Sequence, residues 1–130
     1  MKLRAMDIGR CGVEQFLCAG KVSCKDAGID KGIELCELPE NIIITKVVAV
    51  VEEAFNAATT NVLTVGTNEE ANDLLGEDAV TEGTVGEYMK DMFKIHKKAP
   101  VKINVKFASS GTEATKGKAS IYLGVIRIPD

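Results

Sequence analysis

The chain has 130 residues, of which 45% are hydrophobic and 27% charged, a composition typical of one globular domain with its own core. A net charge of −3 gives no general affinity for polyanions, and the low aromatic content of 5%, without Trp, argues against a surface that stacks sugars or nucleic-acid bases. No apolar run approaches the ~20 residues of a membrane helix, and the chain turns polar at Asp7, so we expect a protein made in the cytoplasm, with neither nucleic acid nor membrane as partner.

Short strands are predicted in the first third of the chain, around Leu3–Ile8, Gln15–Cys18 and Lys21–Cys24. Residues 1–30 are otherwise hard to interpret because four glycines interrupt every hydrophobic period. All four cysteines lie in this third, at Cys11, Cys18, Cys24 and Cys36. They are separated by six, five and eleven residues, whereas a zinc knuckle has two residues between its cysteines. Disulfides are also disfavoured, because the sequence shows no secretion signal. We therefore predict reduced thiols.

A strand over Ile33–Leu38 is indicated by the alternation of Ile33 and Leu35 with polar neighbours. Leu38 falls out of this phase, so we expect the strand to end or bulge near Cys36. Pro39 then begins a tight connection into the next strand.

The segment Asn41–Phe55 is predicted to be the long central strand. Its Ile, Val and Thr residues lose χ1 freedom in a helix, which favours an extended backbone. We expect a bend near Thr45–Lys46, and both faces covered before it. Beyond the bend, one face is predicted to carry Val47, Ala49, Val51 and Phe55, and the other Val48 and Val50.

Asn61–Thr67 is predicted to form a hairpin with the central strand across the polar 56–61 loop. A short helix is predicted over residues 68–75, capped by Asn68, carrying Glu69 and Glu70 in its first turn, and ended by Gly76. Such a helix is too short to be stable alone, so we expect Leu74 and Leu75 to hold it on the sheet.

The last third of the chain contains the clearest alternation, over Val101–Phe107, followed by a polar hairpin loop and a closing strand over Ala119–Ile128. Thr84–Met89 is either a short strand or a single turn. Together, six or more strands predict one all-β domain over residues 1–130, an antiparallel sandwich or jelly-roll-like barrel with one short helix near residues 68–75.

Charged residues suggest interaction surfaces more than chemistry. The acidic residues between Glu69 and Asp91 form either a solvated face or a calcium site, although their spacing matches no standard calcium loop. Lys102, Asn104 and Lys106 share one strand face, which is either simply solvated or in contact with an acidic partner, including the acidic segment of another copy.

No catalytic, cofactor-binding or metal-binding residue is predicted. The single histidine, His96, lies in a Lys-rich stretch and is expected in an exposed connection. Glu52 and Glu53 are adjacent on a strand, so they point to opposite faces and cannot act together. The Gly83–Gly86 segment lacks the Lys-Ser/Thr of a phosphate-binding loop.

Several segments resemble tailed-bacteriophage virion proteins. These are Ile33–Asn56, with its Leu-Pro turn, long Val-rich strand and Ala-Phe-Asn ending, and Thr60–Leu75, with its Val-Gly strand. The closing pair Val101–Phe107 and Ala119–Ile128, joined through Gly111–Gly117, is also similar. The resemblance covers about residues 32–128, and the Cys-containing N-terminal part departs from it.

The resemblance implies a non-enzymatic β-sandwich of the head decoration or head-fibre type, located in the virion and made in the host cytoplasm. Its expected partner is the major capsid protein or another virion protein, and a homo-oligomer is expected, with a trimer favoured. Residues 1–30 would then be either a contact arm or extra core strands.

Two other classes remain open. A receptor- or carbohydrate-binding sandwich of a phage tail or fibre is one, and the shortage of aromatic residues argues against sugar stacking. A small jelly-roll enzyme is the other, and it is disfavoured because the metal-type His pairs are missing.

Overall fold

The computed structural model describes residues 13–68, 74–76, 79–97 and 100–128. These residues form seven strands and two antiparallel sheets packed as a sandwich, which confirms the all-β prediction. The strands are β1 (Glu14–Ser23), β2 (Ile33–Leu38), β3 (Ile42–Glu53), β4 (Thr60–Thr67), β5 (Gly86–His96), β6 (Val101–Ser110) and β7 (Lys118–Arg127). The predicted strand at Leu3–Ile8 lies outside the described residues.

Strand β3 is central to the larger sheet, as its sequence predicts. This sheet has the order β1-β7-β3-β5, and the smaller sheet has the order β2-β6-β4. The predicted bend is confirmed, because the register of β3 shifts between Ile44 and Lys46 against both of its neighbours. Against β7, Thr45 is the additional residue, and such a bulge bends and twists the strand.

The core fills the space between the two sheets. Alternate residues of β3 point inward, and Val47, Ala49 and Val51 are fully buried there. The smaller sheet contributes fully buried side chains from β4 and β6: Leu63, Val65, Ile103 and Val105. The expectation that both faces are covered at the start of β3 is only partly correct, since Ile42 and Ile44 are buried and Ile43 is half-exposed.

The predicted hairpin between the central strand and Asn61–Thr67 is wrong. Strand β4 pairs with β6, whereas β3 pairs with β5 and β7, so residues 54–59 cross from one sheet to the other. The crossing is held by Phe55, which is buried with its ring 4.6 Å from that of Phe107 in the opposite sheet. The amide side chain of Asn61 also bonds the backbone N–H and C=O of Ala57.

Residues 69–73 of the predicted helix lie outside the described residues. Of the remainder, Leu75 forms an isolated bridge with Val65, and the backbone N–H groups of Leu74 and Leu75 both donate to the Val65 carbonyl. Both leucines are buried, so the predicted anchoring to the sheet is confirmed. The side-chain oxygen of Asn68 accepts a hydrogen bond from Lys102 N–H of β6, and the N–H groups that it is predicted to cap lie outside the described residues.

Strand β1 replaces the two short strands predicted between residues 15 and 24. It runs continuously through a register shift between Cys18 and Gly20. Gly20 has a φ of 155°, and a Cβ there would lie 3.3 Å from Leu35 Cδ2, which accounts for glycine at this position. In β2 the register shifts between Glu34 and Cys36, which confirms the predicted bulge.

Strand β5 is longer than the strand or turn predicted at Thr84–Met89. It continues to His96, so Lys94 and His96 lie in a strand and not in the expected exposed connection. The reason is pairing with β3, which extends the strand well beyond its most β-like residues.

Candidate interaction surface

The outward-facing side of the larger sheet, here called the apolar face, is the most distinctive surface of the described chain. The register places side chains from all four strands side by side, with Cys18, Tyr122, Val48 and Met89 forming one row across the sheet. Outward alternation along each strand defines the rest of this face. The apolar face consists of Phe16, Cys18, Ile43, Val48, Val50, Met89, Phe93, Ile95, Tyr122 and Ile126.

Exposure on this face is highest at the two edge strands. On or beside β1, Val13 is 48% exposed and Phe16 62% exposed, while on β5 Met89, Phe93 and Ile95 are 59%, 68% and 49% exposed. An exposed apolar row at a sheet edge is a favourable place for contact with another chain, since it also presents unpaired backbone groups.

Two charged residues within this side of the sheet, Lys46 and Glu14, are paired with one another. Lys46 Nζ lies 3.9 Å from Glu14 Oε1 and 5.6 Å from the centre of the Phe16 ring. The Thr45 hydroxyl donates to Glu14. Local pairing lowers the free energy needed to cover these charges with a partner surface.

A second charged pair borders the apolar face. Lys21 Nζ lies 3.9 Å from Glu52 Oε2, and the Ser120 hydroxyl donates to the other oxygen of Glu52. Glu53 instead accepts a bond from Gly117 N–H at 3.0 Å. The two carboxylates therefore have different partners, and the register shift between Val51 and Glu53 interrupts the regular alternation on which the prediction of opposite faces depends.

The outward side of the smaller sheet is polar. Lys102, Asn104 and Lys106 alternate there with the buried residues of β6, which confirms the predicted shared face. Their cross-strand neighbours include Glu37 and Thr64. Lys102 Nζ also lies 3.9 Å from Glu34 Oε1. The sandwich thus has one polar and one largely apolar exterior.

Most of the acidic cluster predicted between Glu69 and Asp91 lies outside the described residues. One described member contradicts the expectation of a solvated face: Glu82 is only 6% exposed. Its Oε2 accepts a hydrogen bond from Leu63 N–H at 2.7 Å, and its backbone carbonyl accepts one from Phe55 N–H at 2.9 Å. Glu82 is therefore a structural residue beside the crossing segment, which no local sequence signal indicates.

His96 also differs from its prediction. It is half-buried at the end of β5, opposite Ile42 of β3. The neighbouring lysines predict a loop at this position, but an edge strand also tolerates lysines well.

The described cysteines, Cys18, Cys24 and Cys36, are free thiols. Burial raises the pKa of the Cys36 thiol from 9.0 to about 12, with further contributions from the charge of Glu34 and from Cys18. A thiol with so high a pKa is a poor nucleophile near neutral pH.

Among the described residues, the side chains that line the hollows of the sandwich form no recognisable catalytic arrangement. The one that runs beside the β1–β2 connection has a volume of about 310 Å³ and is lined mainly by acidic and apolar side chains, including Asp26, Asp30, Glu113 and Phe107. Within the described ranges, no three His, Cys, Asp or Glu residues are grouped so as to hold a metal ion. None of the described segments contains a helix long and apolar enough to cross a membrane.

Comparison with known proteins links this fold to phage capsids. No family model matches the sequence, and no curated protein matches it either. A chain of the cyanophage Pam1 capsid asymmetric unit superposes with a TM-score of 0.65 at 16% identity, over 96% of this chain and 91% of that chain. A chain of the Ralstonia phage GP4 capsid gives 0.61 at 16% identity, over 97% and 92%. The chain therefore has the fold of chains found in two phage capsids, along nearly its whole length.

Proposed function

We propose that this chain is a non-enzymatic structural protein of a phage virion that decorates or cements the head shell. The observation that carries the proposal is the fold match to two capsid chains over at least 96% of this chain. Because both matches also cover more than nine-tenths of the other chain, the likeness concerns whole sandwiches and not a shared submotif. The resemblance of residues 32–128 to virion proteins points to the same class.

The two exteriors of the sandwich suit such a role. A decorating protein must bury one surface against its neighbours and leave another in solvent. The apolar face has the composition of a surface that is buried against a neighbour. The lysine-bearing face around Lys102 and Lys106 has the composition of a surface that stays in solvent. We infer that the apolar face contacts the major capsid protein or another virion protein, in a symmetric oligomer for which the trimer is the favoured form.

Co-sedimentation with empty shells of the phage that encodes the chain tests this proposal. We expect saturable binding. At saturation, the molar ratio of bound chain to capsid protein should be fixed, because the binding site is repeated across the shell. Failure to bind shells, together with retention on a glycan array, would instead favour the receptor- or carbohydrate-binding alternative.

A further inference from the structure

We propose that copies of this chain associate head to tail, with strand β1 of one copy pairing with strand β5 of the next. These are the two edge strands of the larger sheet, and no other strand in the described part of the chain pairs with their outer edges. Six large apolar side chains are exposed among the described residues. Five of them belong to these two edges: Val13, Phe16, Met89, Phe93 and Ile95.

The strand directions allow this contact. Each neighbouring pair in the order β1-β7-β3-β5 is antiparallel, so β1 and β5 run in opposite directions within one copy. A second copy that is rotated about an axis roughly parallel to the strands therefore presents its β1 antiparallel to the β5 of the first copy. The sheet then continues from copy to copy with its apolar face on the same side.

The charges select one register. When Phe16 lies opposite Ile95 of the next copy, Cys18 lies opposite Phe93 and Glu14 lies opposite Lys97. If the bulge between Cys18 and Gly20 is kept, Lys21 then lies opposite Asp91. Apolar pairs thus occupy the centre of the contact, and opposite charges occupy both ends.

Other registers are less favourable. A shift of two residues, with Phe16 opposite Phe93, places Glu14 opposite Ile95 and Lys21 opposite Met89, so both charge pairs are lost. A shift of one residue places the outward side chains of one strand opposite the inward side chains of the other. The preferred register is therefore defined by four residues of β1 and by four of the next copy, three in β5 and Lys97 directly after it.

A contact between two different edges has a consequence for symmetry. It is heterologous, so every copy uses its β1 once and its β5 once, and a ring closes when the rotation between copies divides a full turn. A closed ring leaves no exposed edge on the larger sheet, which removes the tendency of edge strands to aggregate. This inference specifies the oligomer included in the proposed function, and its test needs no capsid, so the two can fail separately.

The exposed thiol of Cys18 provides a direct test. In the preferred register it faces Phe93 of the next copy, so Phe93→Cys creates a pair that mild oxidation can join between copies. Within one copy, positions 18 and 93 lie on opposite edges of the sheet, which are about 14 Å apart by strand spacing, and Phe93 is displaced a further four residues along β5 from the row of Cys18. Their separation is therefore well beyond the ~7 Å limit for a disulfide. We expect covalent multimers on a non-reducing gel that disappear on reduction.

Two controls establish specificity. Val85→Cys introduces a thiol at a position that is 61% exposed, close to the 68% of Phe93, but outside the strand. Cys18→Ser combined with Phe93→Cys removes the partner thiol. Multimers that form equally well in either control, or no multimers in Phe93→Cys, would overturn the proposal.

Native mass measurement tests the charge pair independently of thiol chemistry. We expect Lys21→Asp to weaken self-association at least 10-fold, and Asp91→Lys in the same chain to restore most of it. Lys25→Asp, an equal change of charge at an exposed position just beyond β1, is expected to leave the mass distribution unchanged. A wild-type chain that stays monomeric at high concentration would also disprove head-to-tail pairing.

Discussion

The carboxylate of Glu82 accepts a hydrogen bond from the backbone N–H of Leu63 at 2.7 Å, in a region where both residues are buried. The backbone carbonyl of the same Glu82 accepts from Phe55 N–H at 2.9 Å. Glu82, in the β4–β5 connection, thus bonds to Phe55 at the start of the segment that crosses between the sheets and to Leu63 in the strand that follows it. This arrangement explains how β3 and β4 lie in different sheets although only six residues separate them.

Removal of this carboxylate is expected to destabilise the fold. Glu82→Ala leaves Leu63 N–H buried without its acceptor, which costs about 1–3 kcal/mol in free energy of unfolding. Urea denaturation measures the loss. Glu113→Ala, at an exposed position, serves as the control and is expected to change stability by less than about 0.5 kcal/mol. Equal midpoints for the two variants would contradict the structural role of Glu82.

Gly117 is expected to tolerate no side chain. Its φ is +149°, and an added Cβ would overlap the ring of Phe55, which is itself packed against Phe107. Gly117→Ala is therefore expected to lower the free energy of unfolding by about 1–3 kcal/mol through overpacking and backbone strain.

Gly83→Ala is the matched control for this substitution. No heavy atom lies within 4 Å of a Cβ built at Gly83, so we expect little change in its thermal midpoint. A Gly117→Ala midpoint equal to that of Gly83→Ala would show that the Phe55 ring moves aside freely.

The Cys36 thiol is expected to make stability depend on pH in the alkaline range. Its pKa is about 12 in the fold against 9.0 when unfolded, so the folded state holds the proton more tightly. The stabilisation is fully present below about pH 9 and is lost as pH rises toward 12, with a limiting slope of about 1.4 kcal/mol per pH unit.

The contribution of Cys36 is isolated by comparison with Cys36→Ala, because lysines and tyrosines also titrate at these pH values. We expect the stability difference between wild type and variant to shrink between pH 9 and pH 11, as measured by urea unfolding. A difference that stays constant over this interval would mean that the thiol ionises equally easily in both states.

The proposed capsid contact is expected to depend on the apolar face. Val48→Lys places a charge at the centre of this face, where burial against a partner would require desolvation of an unpaired ammonium. We expect shell binding to weaken more than 10-fold, as measured by co-sedimentation. Ala108→Lys introduces the same charge on the outward side of the smaller sheet, and this control variant is expected to bind shells normally. Equal shell binding by the two variants would exclude the apolar face as the contact.

Much of the fold is encoded locally. The period-two alternation of Val101–Phe107 defines β6 and its inward residues, because successive side chains of a strand point to opposite sides. The β-branched run of Asn41–Phe55 defines the central strand, and even its bend at Thr45 is visible in the sequence. The features that resemble virion proteins are likewise local strands and turns in order along the chain, and the fold shared with a phage capsid chain agrees with them.

What the sequence could not provide was how strands are brought together. A polar loop of six residues is compatible with a hairpin or with a crossing between sheets, and only the burial of Phe55 against Phe107 and the bonds of Glu82 decide between them. The apolar face depends in the same way on register, since its members come from four strands separated along the chain. Alternation along the strand shows that Val48 points away from Val47. Only the paired sheet shows that Tyr122 and Met89 lie beside Val48, because side chains from distant segments become neighbours through hydrogen-bonded strand pairing.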